Sequence, residues 1–118
     1  MANTFRVVTK SGVSTSSGSP TSLYTTPAST TSIVLALLIS NKHTDSIKAT
    51  VVVSSDTSVI GAGATNADAH IIKDVTIENE TSLEIMSGQK YVLATTDILQ
   101  IYADNANLDV VFSFMEIT

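Results

Sequence analysis

The chain has 118 residues, enough for one domain, whereas two domains of half that length would each lack an adequate core. It has no cysteine, which excludes disulfides and thiolate metal sites, and its net charge of −5 argues against binding to nucleic acid or to an anionic membrane. Hydrophobic residues make up 43% and charged residues 14%, so we expect a folded domain whose polar surface consists mainly of hydroxyl groups.

The composition favours strands, because Val, Ile and Thr together account for 40 of the 118 residues. A first short strand is predicted at Thr4–Lys10. Ser11–Ser22 follows as a flexible Ser/Thr-rich loop or arm, broken by glycine and proline. Leu23–Thr26 is predicted as a second strand that ends at Pro27.

Thr31–Asn41 is the most apolar segment. Strict alternation assigns its odd-numbered residues, Ile33 to Ile39, to one face and the even-numbered residues, Val34 to Leu38, to the other. Both faces are apolar, so we predict a central strand covered on both sides, with a short helix as the alternative.

Ser46–Ser55 alternates with a period of two and is predicted as a half-buried strand. A long loop is expected at Asp56–Asp68 and a strand at His70–Thr76. Ser82–Met86 and Tyr91–Ala94 are predicted to form a hairpin around the glycine between them. The remaining strands and turns are predicted at Thr95–Asp97 (turn), Ile98–Ala103 (strand), Asp104–Asn107 (turn) and Leu108–Ile117 (strand).

Eight or nine short strands with no amphipathic helix predict an all-β fold, an antiparallel β-sandwich of jelly-roll type. We expect residues 1–118 to form one such domain, with the arm at 11–22.

The last strand has two apolar faces. Alternation predicts a core face made of Leu108, Val110, Phe112 and Phe114. The opposite face is mostly apolar too, although a solvated face would be polar. Either the Ser/Thr-rich arm covers this second face, or it is a subunit interface. The candidate interface comprises Val111, Ser113, Met115 and Ile117 with Ser14, Thr15, Ser16 and Ser17 of the arm.

Residues for catalysis or metal binding do not form a recognisable pattern. His43 lies in a polar turn and His70 begins a strand, and nothing pairs either with a nucleophile. Asp97, Asp104 and Asp109 do not have the spacing of a calcium loop. We therefore predict no enzymatic activity, no metal and no cofactor.

A phosphate-binding loop and a sugar site are the remaining small-molecule possibilities. Gly61-Ala62-Gly63 lacks the lysine and the helix of a phosphate-binding loop. A sugar- or receptor-binding module would need Tyr24, Tyr91 and Tyr102 exposed in one patch. That module remains an alternative from a different functional class.

Several segments spread along the chain form a recognisable pattern. They are Leu23–Pro27, the hydrophobic strand ending at Asn41, Lys73–Ile77, Leu83–Lys90, Leu93–Asp97 and Ser113–Glu116. Together these segments resemble a group of small virion proteins of tailed bacteriophages. The resemblance covers Leu23–Thr118 and departs from the group's pattern at Glu78, where proline is expected, and at Thr96, where glycine is expected.

The resemblance implies a non-enzymatic structural protein of the phage particle. The leading expectation is a capsid cement or decoration protein, and a neck, tail or fibre-base component is the alternative. Its partners would be its own copies, for example in a trimer, and the major capsid protein or the tail and neck proteins. Met1–Lys10 lacks the apolar stretch of a signal peptide, so we expect synthesis in the host cytoplasm and location in the virion.

Overall fold

The computed structural model describes residues 2–55, 67–86 and 89–118. Strands account for most of these residues, and none of them lies in a helix able to cross a membrane. The nine strands are β1 (Asn3–Ser11), β2 (Thr21–Thr25), β3 (Thr31–Asn41), β4 (Ile47–Ser54), β5 (Ala69–Ile77), β6 (Ser82–Glu84), β7 (Tyr91–Leu93), β8 (Ile98–Ala103) and β9 (Leu108–Ile117).

The strands form two antiparallel sheets. Sheet A has the order β1-β9-β3-β6, with β7 pairing beside β6 along the same edge of β3, and sheet B has the order β2-β8-β4-β5. The pairing is nested: β1 pairs with β9, β2 with β8, β3 with β6 and β7, and β4 with β5. Nested pairing across two sheets is the jelly-roll arrangement, and it confirms the predicted fold class.

The predicted core face of β9 is confirmed. Leu108, Val110, Phe112 and Phe114 are each at most 1% exposed. The rings of Phe112 and Phe114 stack 4.7 Å apart, and Tyr24 of β2 reaches across from sheet B to within 4.4 Å of Phe114. Three aromatic rings therefore join the two sheets at the centre of the sandwich.

The predicted division of β3 into odd and even faces is wrong. The register of β3 against β9 shifts between Val34 and Ala36, so that one extra residue is inserted. A bulge of this kind reverses the alternation beyond it. The buried positions are accordingly Val34 before the bulge and Leu37 and Ile39 after it. The other side of the strand is only half-buried, although we expected cover on both sides.

The predicted hairpin between 82–86 and 91–94 is also wrong. Its two strands do not pair with each other: β6 pairs with Leu38–Ser40 and β7 with Ser32–Val34 of the same partner strand. Between these two paired stretches of β3, the backbone N–H of Leu37 donates a hydrogen bond to the Glu84 carboxylate at 3.1 Å. The same carboxylate accepts a hydrogen bond from the backbone N–H of Met86, also at 3.1 Å. Ser87 and Gly88, which we predicted at the tip, lie outside the described residues.

Asn41 fixes the end of β3. Its buried side-chain amide donates hydrogen bonds to the carbonyl oxygens of Ile77 at 2.9 Å and Asp45 at 3.0 Å. Its side-chain oxygen accepts the backbone N–H of His43 at 2.8 Å. One side chain thus ties the β3–β4 turn to the end of β5. The long loop predicted at Asp56–Asp68 falls mostly outside the described residues.

Candidate assembly interface

The side of sheet A that faces away from the core carries a set of apolar side chains, which we call the outer A face. Antiparallel partners that lie directly opposite each other project to the same side of a sheet. The register therefore places residues from four strands on this face. They are Phe5, Val7, Ile33, Leu38, Val92, Val111 and Met115.

One continuous row crosses the whole sheet. Phe5 lies opposite Met115, Met115 opposite Ile33, and Ile33 opposite Val92. The two ends of the row are the most exposed, with Phe5 73% and Val92 64% accessible. Val7 is 61% accessible and Val111 39%. A monomeric surface usually breaks up such a row with charges, so this row suggests a contact surface.

Charges on the outer A face lie toward one end. Lys42 Nζ lies 2.9 Å from Asp109 Oδ1 and donates to Ser11 Oγ at 2.7 Å. The hydrogen bond from Lys42, together with that from Ser11, lowers the pKa of Asp109 below its usual range. Glu84, opposite Leu38, lies toward the same end. The row from Phe5 to Val92 contains no charged residue.

A polar network anchors the edge strand β1 to the sandwich. Glu116, 7% exposed, accepts hydrogen bonds from Arg6 Nε of β1 and from the Tyr24 hydroxyl at 2.6 Å. The same hydroxyl lies 2.6 Å from Ser32 Oγ. The hydrogen bonds from Tyr24 and Arg6 lower the pKa of Glu116, while burial and the bond to Glu116 raise the pKa of Tyr24 to about 12. Four strands are thereby connected near the exposed Phe5.

The structure separates the two halves of the predicted interface. Val111, Ser113, Met115 and Ile117 share one side of β9, directed away from the core face. Ser14, Thr15, Ser16 and Ser17 lie elsewhere. Ser14 forms a bridge with Tyr102 of β8 in sheet B, and Thr15 and Ser17 line a cleft with the same tyrosine.

The position of this loop bears on one explanation for the second apolar face of β9, namely cover by the Ser/Thr-rich arm. The backbone N–H of Ala103 donates to the Ser14 carbonyl at 3.0 Å, and Val13 is buried in the core. The loop is thus held against sheet B, so the alternative in which the arm covers the second face of β9 is wrong. Phe5 and Val92 were not predicted from the sequence, since alternation alone does not show which side of a strand faces the core.

Residues considered for chemistry lie apart from one another. His43 Nε2 is 3.9 Å from Asp45 Oδ2 in the β3–β4 turn, and His70 is exposed on β5. Asp97 accepts hydrogen bonds from Ser55 Oγ and from the backbone N–H of Ala94. In residues 2–55, 67–86 and 89–118, no three His, Cys, Asp or Glu side chains are grouped to hold a metal ion. Gly61-Ala62-Gly63 lies outside the described residues.

The three tyrosines occupy three different environments. Tyr24 is partly buried and packs against the core, and Tyr102 lies on the outer side of sheet B. Tyr91 lines an apolar cleft of about 370 Å³ between β5 and β7. They do not form the single stacking surface that a sugar-binding module would need.

Comparisons with known proteins show the fold but no family. No family model matches the chain, and no curated protein matches it. A solved structure described as Bacillus endospore appendages that form a family of disulfide-linked pili aligns with a TM-score of 0.53 and 13% identity. The alignment covers 98% of this chain and 88% of that one. The likeness supports the β-sandwich architecture.

Proposed function

We propose that this protein is a non-enzymatic structural subunit that assembles in many copies through the outer A face. The observation that carries the proposal is the uncharged row from Phe5 to Val92, which is exposed at both ends. Burying apolar area of this kind against a partner is favourable by about 25 cal/mol per Å² before the cost of association is subtracted.

The size of the outer A face suits a stable interface. Four strands spaced about 4.8 Å apart are about 19 Å wide, and a ten-residue strand is about 34 Å long. The projected area is therefore about 650 Å², which approaches the ~800 Å² per partner of an ordinary specific complex. A contact confined to the uncharged part would be smaller, as in weaker or multivalent assemblies.

The particle that we propose is the virion of a tailed bacteriophage, with the protein on the outside of the capsid as cement or decoration. The resemblance of Leu23–Thr118 to small phage virion proteins supports this choice. A subunit that binds only the assembled shell stabilises the shell by linkage. Quantitative mass spectrometry of purified virions tests the proposed location by measuring the copy number of this protein per particle. A copy number similar to that of the shell protein supports decoration, a small fraction of it indicates neck, tail or fibre, and absence contradicts a virion role.

A charge placed in the row tests assembly itself. Val92→Lys puts an ammonium group on the outer A face, on the opposite side of the sheet from the buried Glu116 carboxylate. We expect this variant to remain folded but to lose contacts made through the outer A face, so that sedimentation velocity across a range of concentrations shows smaller assemblies than the wild type. Thr76→Lys is the matched control, since it adds the same charge to an exposed position on β5 of sheet B. Equal association by Val92→Lys and wild type would contradict the proposed interface.

A filament subunit is the second candidate. The structural likeness to the endospore appendage protein favours it. That protein is described as disulfide-linked, whereas this chain has no cysteine, so any filament would be held by noncovalent contacts. Electron microscopy of the purified, concentrated protein separates the candidates: open filaments support this one, and small closed oligomers that bind to shells support the first.

A further inference from the structure

The four sheet edges differ in how well they are protected against pairing with another strand. Natural sheets block free edges with short strands, bulges, interruptions or inserted charges. The β3 edge of sheet A is covered by two three-residue strands, β6 and β7. In sheet B, β2 is short and has a register shift at Ser22–Tyr24, and Ser14 bridges to the adjacent β8.

The β5 edge of sheet B is irregular as well. Its pairing with β4 shifts register twice, and Asp74 has a φ of 50° in the left-handed region. By contrast, β1 pairs with β9 over nine consecutive residues without any shift. It contains no proline, and within the described residues no strand pairs with its other side. Of the four edges, β1 is the long and regular one.

The alternation of hydrogen bonds between β1 and β9 shows which backbone groups of β1 face the free edge. Ala2 and Thr118 exchange both backbone hydrogen bonds, at 3.2 and 3.0 Å, and Gly12 N donates to the Leu108 carbonyl at 2.8 Å. Bonding therefore alternates so that the even-numbered residues of β1 bond to β9. The odd-numbered residues direct N–H and C=O toward the free edge: Asn3, Phe5, Val7, Thr9 and Ser11.

We propose that two copies of this chain pair antiparallel through the free edges of β1, related by a two-fold axis at Val7. This arrangement rests on the proposed self-assembly and specifies one of its contacts. With the axis at Val7, the middle residue of β1, all nine residues of one strand pair with the nine of the other. Each outward-directed N–H or C=O group then lies opposite an outward-directed group of the second copy. Phe5 then faces Thr9 of the second copy, and Asn3 faces Ser11.

Side-chain chemistry is compatible with this register. Arg6 lies opposite Val8 of the second copy, and Lys10 lies opposite Thr4, so like charges meet only on the diagonal, where each Arg6 is already paired with the Glu116 carboxylate of its own copy. All outward-directed residues also project their side chains to the outer A face. The two apolar faces therefore merge into one surface across both copies, about 38 Å wide by strand spacing. This continuity is why we assign the edge to a second copy.

Replacing one backbone donor tests the pairing. Thr9→Pro removes an N–H at the free edge without removing a bond to β9, and proline is tolerated on edge strands. We expect the dimer dissociation constant to rise at least about tenfold, equivalent to ~1.4 kcal/mol. Thr9→Ala, which keeps the N–H, should dimerise like wild type. Sedimentation equilibrium measures the dimer dissociation constants of the wild type and the two variants, and circular dichroism confirms that all three are folded.

Amide hydrogen exchange gives a second, independent measurement on the wild-type protein. We expect exchange at Phe5, Val7 and Thr9 to slow as concentration rises. The edge pairing is wrong if the protein associates, these amides still exchange rapidly and Thr9→Pro associates normally. That result would leave the proposed interface through the outer A face uncontradicted. If Val92→Lys also has no effect, the proposed assembly interface is wrong as well. A protein that stays monomeric at all concentrations contradicts both.

Discussion

Thr96 occupies a backbone conformation that suits glycine. It is the third residue of a turn closed by the hydrogen bond from Asp97 N to the Ala94 carbonyl at 3.0 Å, and its φ is 73°. A β-branched residue in the left-handed region is strained by roughly 1–2 kcal/mol.

We therefore expect Thr96→Gly to stabilise the protein. Relief of strain exceeds the extra chain entropy of glycine, roughly 0.5–1 kcal/mol, so the free energy of unfolding should rise by about 0.5–1 kcal/mol. Urea denaturation measures it. Thr76→Gly, at an exposed strand position that lacks a positive φ, should instead destabilise. A loss of stability in Thr96→Gly would show that the threonine side chain has a role beyond the turn.

The network of Glu116 and Tyr24 should make stability depend on pH at both extremes. The folded-state pKa of Glu116 is lowered from 4.5, so its contribution is present above that pH and is lost on further acidification. The folded-state pKa of Tyr24 is raised from 10.0 to about 12, so its contribution is present below pH 10.0 and is lost as the pH rises toward 12.

Two variants separate these effects. Glu116→Gln should remove the acid-side dependence that Glu116 causes and cost about 1–3 kcal/mol at neutral pH, because it weakens charge-assisted hydrogen bonds in a buried position. Tyr24→Phe should abolish the alkaline loss that Tyr24 causes. Chemical denaturation at several pH values gives both profiles. An unchanged acid profile in Glu116→Gln would mean that other carboxyl groups dominate acid unfolding.

At the scale of elements, β9 has two apolar faces that differ in burial. Phe112 is fully buried among aromatic rings, and its neighbour Val111 projects onto the outer A face. Phe112→Ala should cost about 3–5 kcal/mol in unfolding free energy. Val111→Ala, the adjacent control, should change it by about 0.5 kcal/mol or less. Similar losses in both would mean that both faces are equally packed in the isolated protein.

Strand positions were largely predictable from the sequence. The bounds of β3, β8 and β9 agree with the predicted segments, since turn residues mark both ends of each strand and the strands are rich in β-branched residues. The core face of β9 was predictable too, because its alternation runs unbroken through four inward-facing residues. These are local properties of the chain.

Pairing and register were not predictable in the same way. The bulge at Leu35 leaves no trace in an uninterrupted apolar run, because either phase of alternation looks equally hydrophobic. Gly88 is a strong local turn signal, yet β6 and β7 pair with β3 rather than with each other. Phe5 and Val92 were not predictable for a related reason: pairing with distant strands places them on the outer A face.

At the scale of the molecule, association through the outer A face should be insensitive to salt. Exposed charge pairs are screened strongly at 1 M salt, where the Debye length is about 3 Å, whereas apolar contacts are not. We expect self-association to persist in 1 M sodium chloride and to strengthen in sodium sulfate. Sedimentation velocity in both salts measures it. Dissociation in sodium chloride would point instead to the charged end near Asp109.

The nested pairing also governs how the chain acquires its structure. Arg6 and Glu116 are 110 positions apart, and β1 gains its sheet partner only when β9 has been made. Folds dominated by such distant pairings reach the native state in milliseconds to seconds, slowly for their size. During synthesis, the free edges of β1 and β3 therefore remain available to neighbouring nascent chains. Joining Thr118 to Ala2 by a short linker and opening the chain at another loop would convert β9 and β1 into a local hairpin. The edge of β1 would then be unpaired for a shorter time during synthesis.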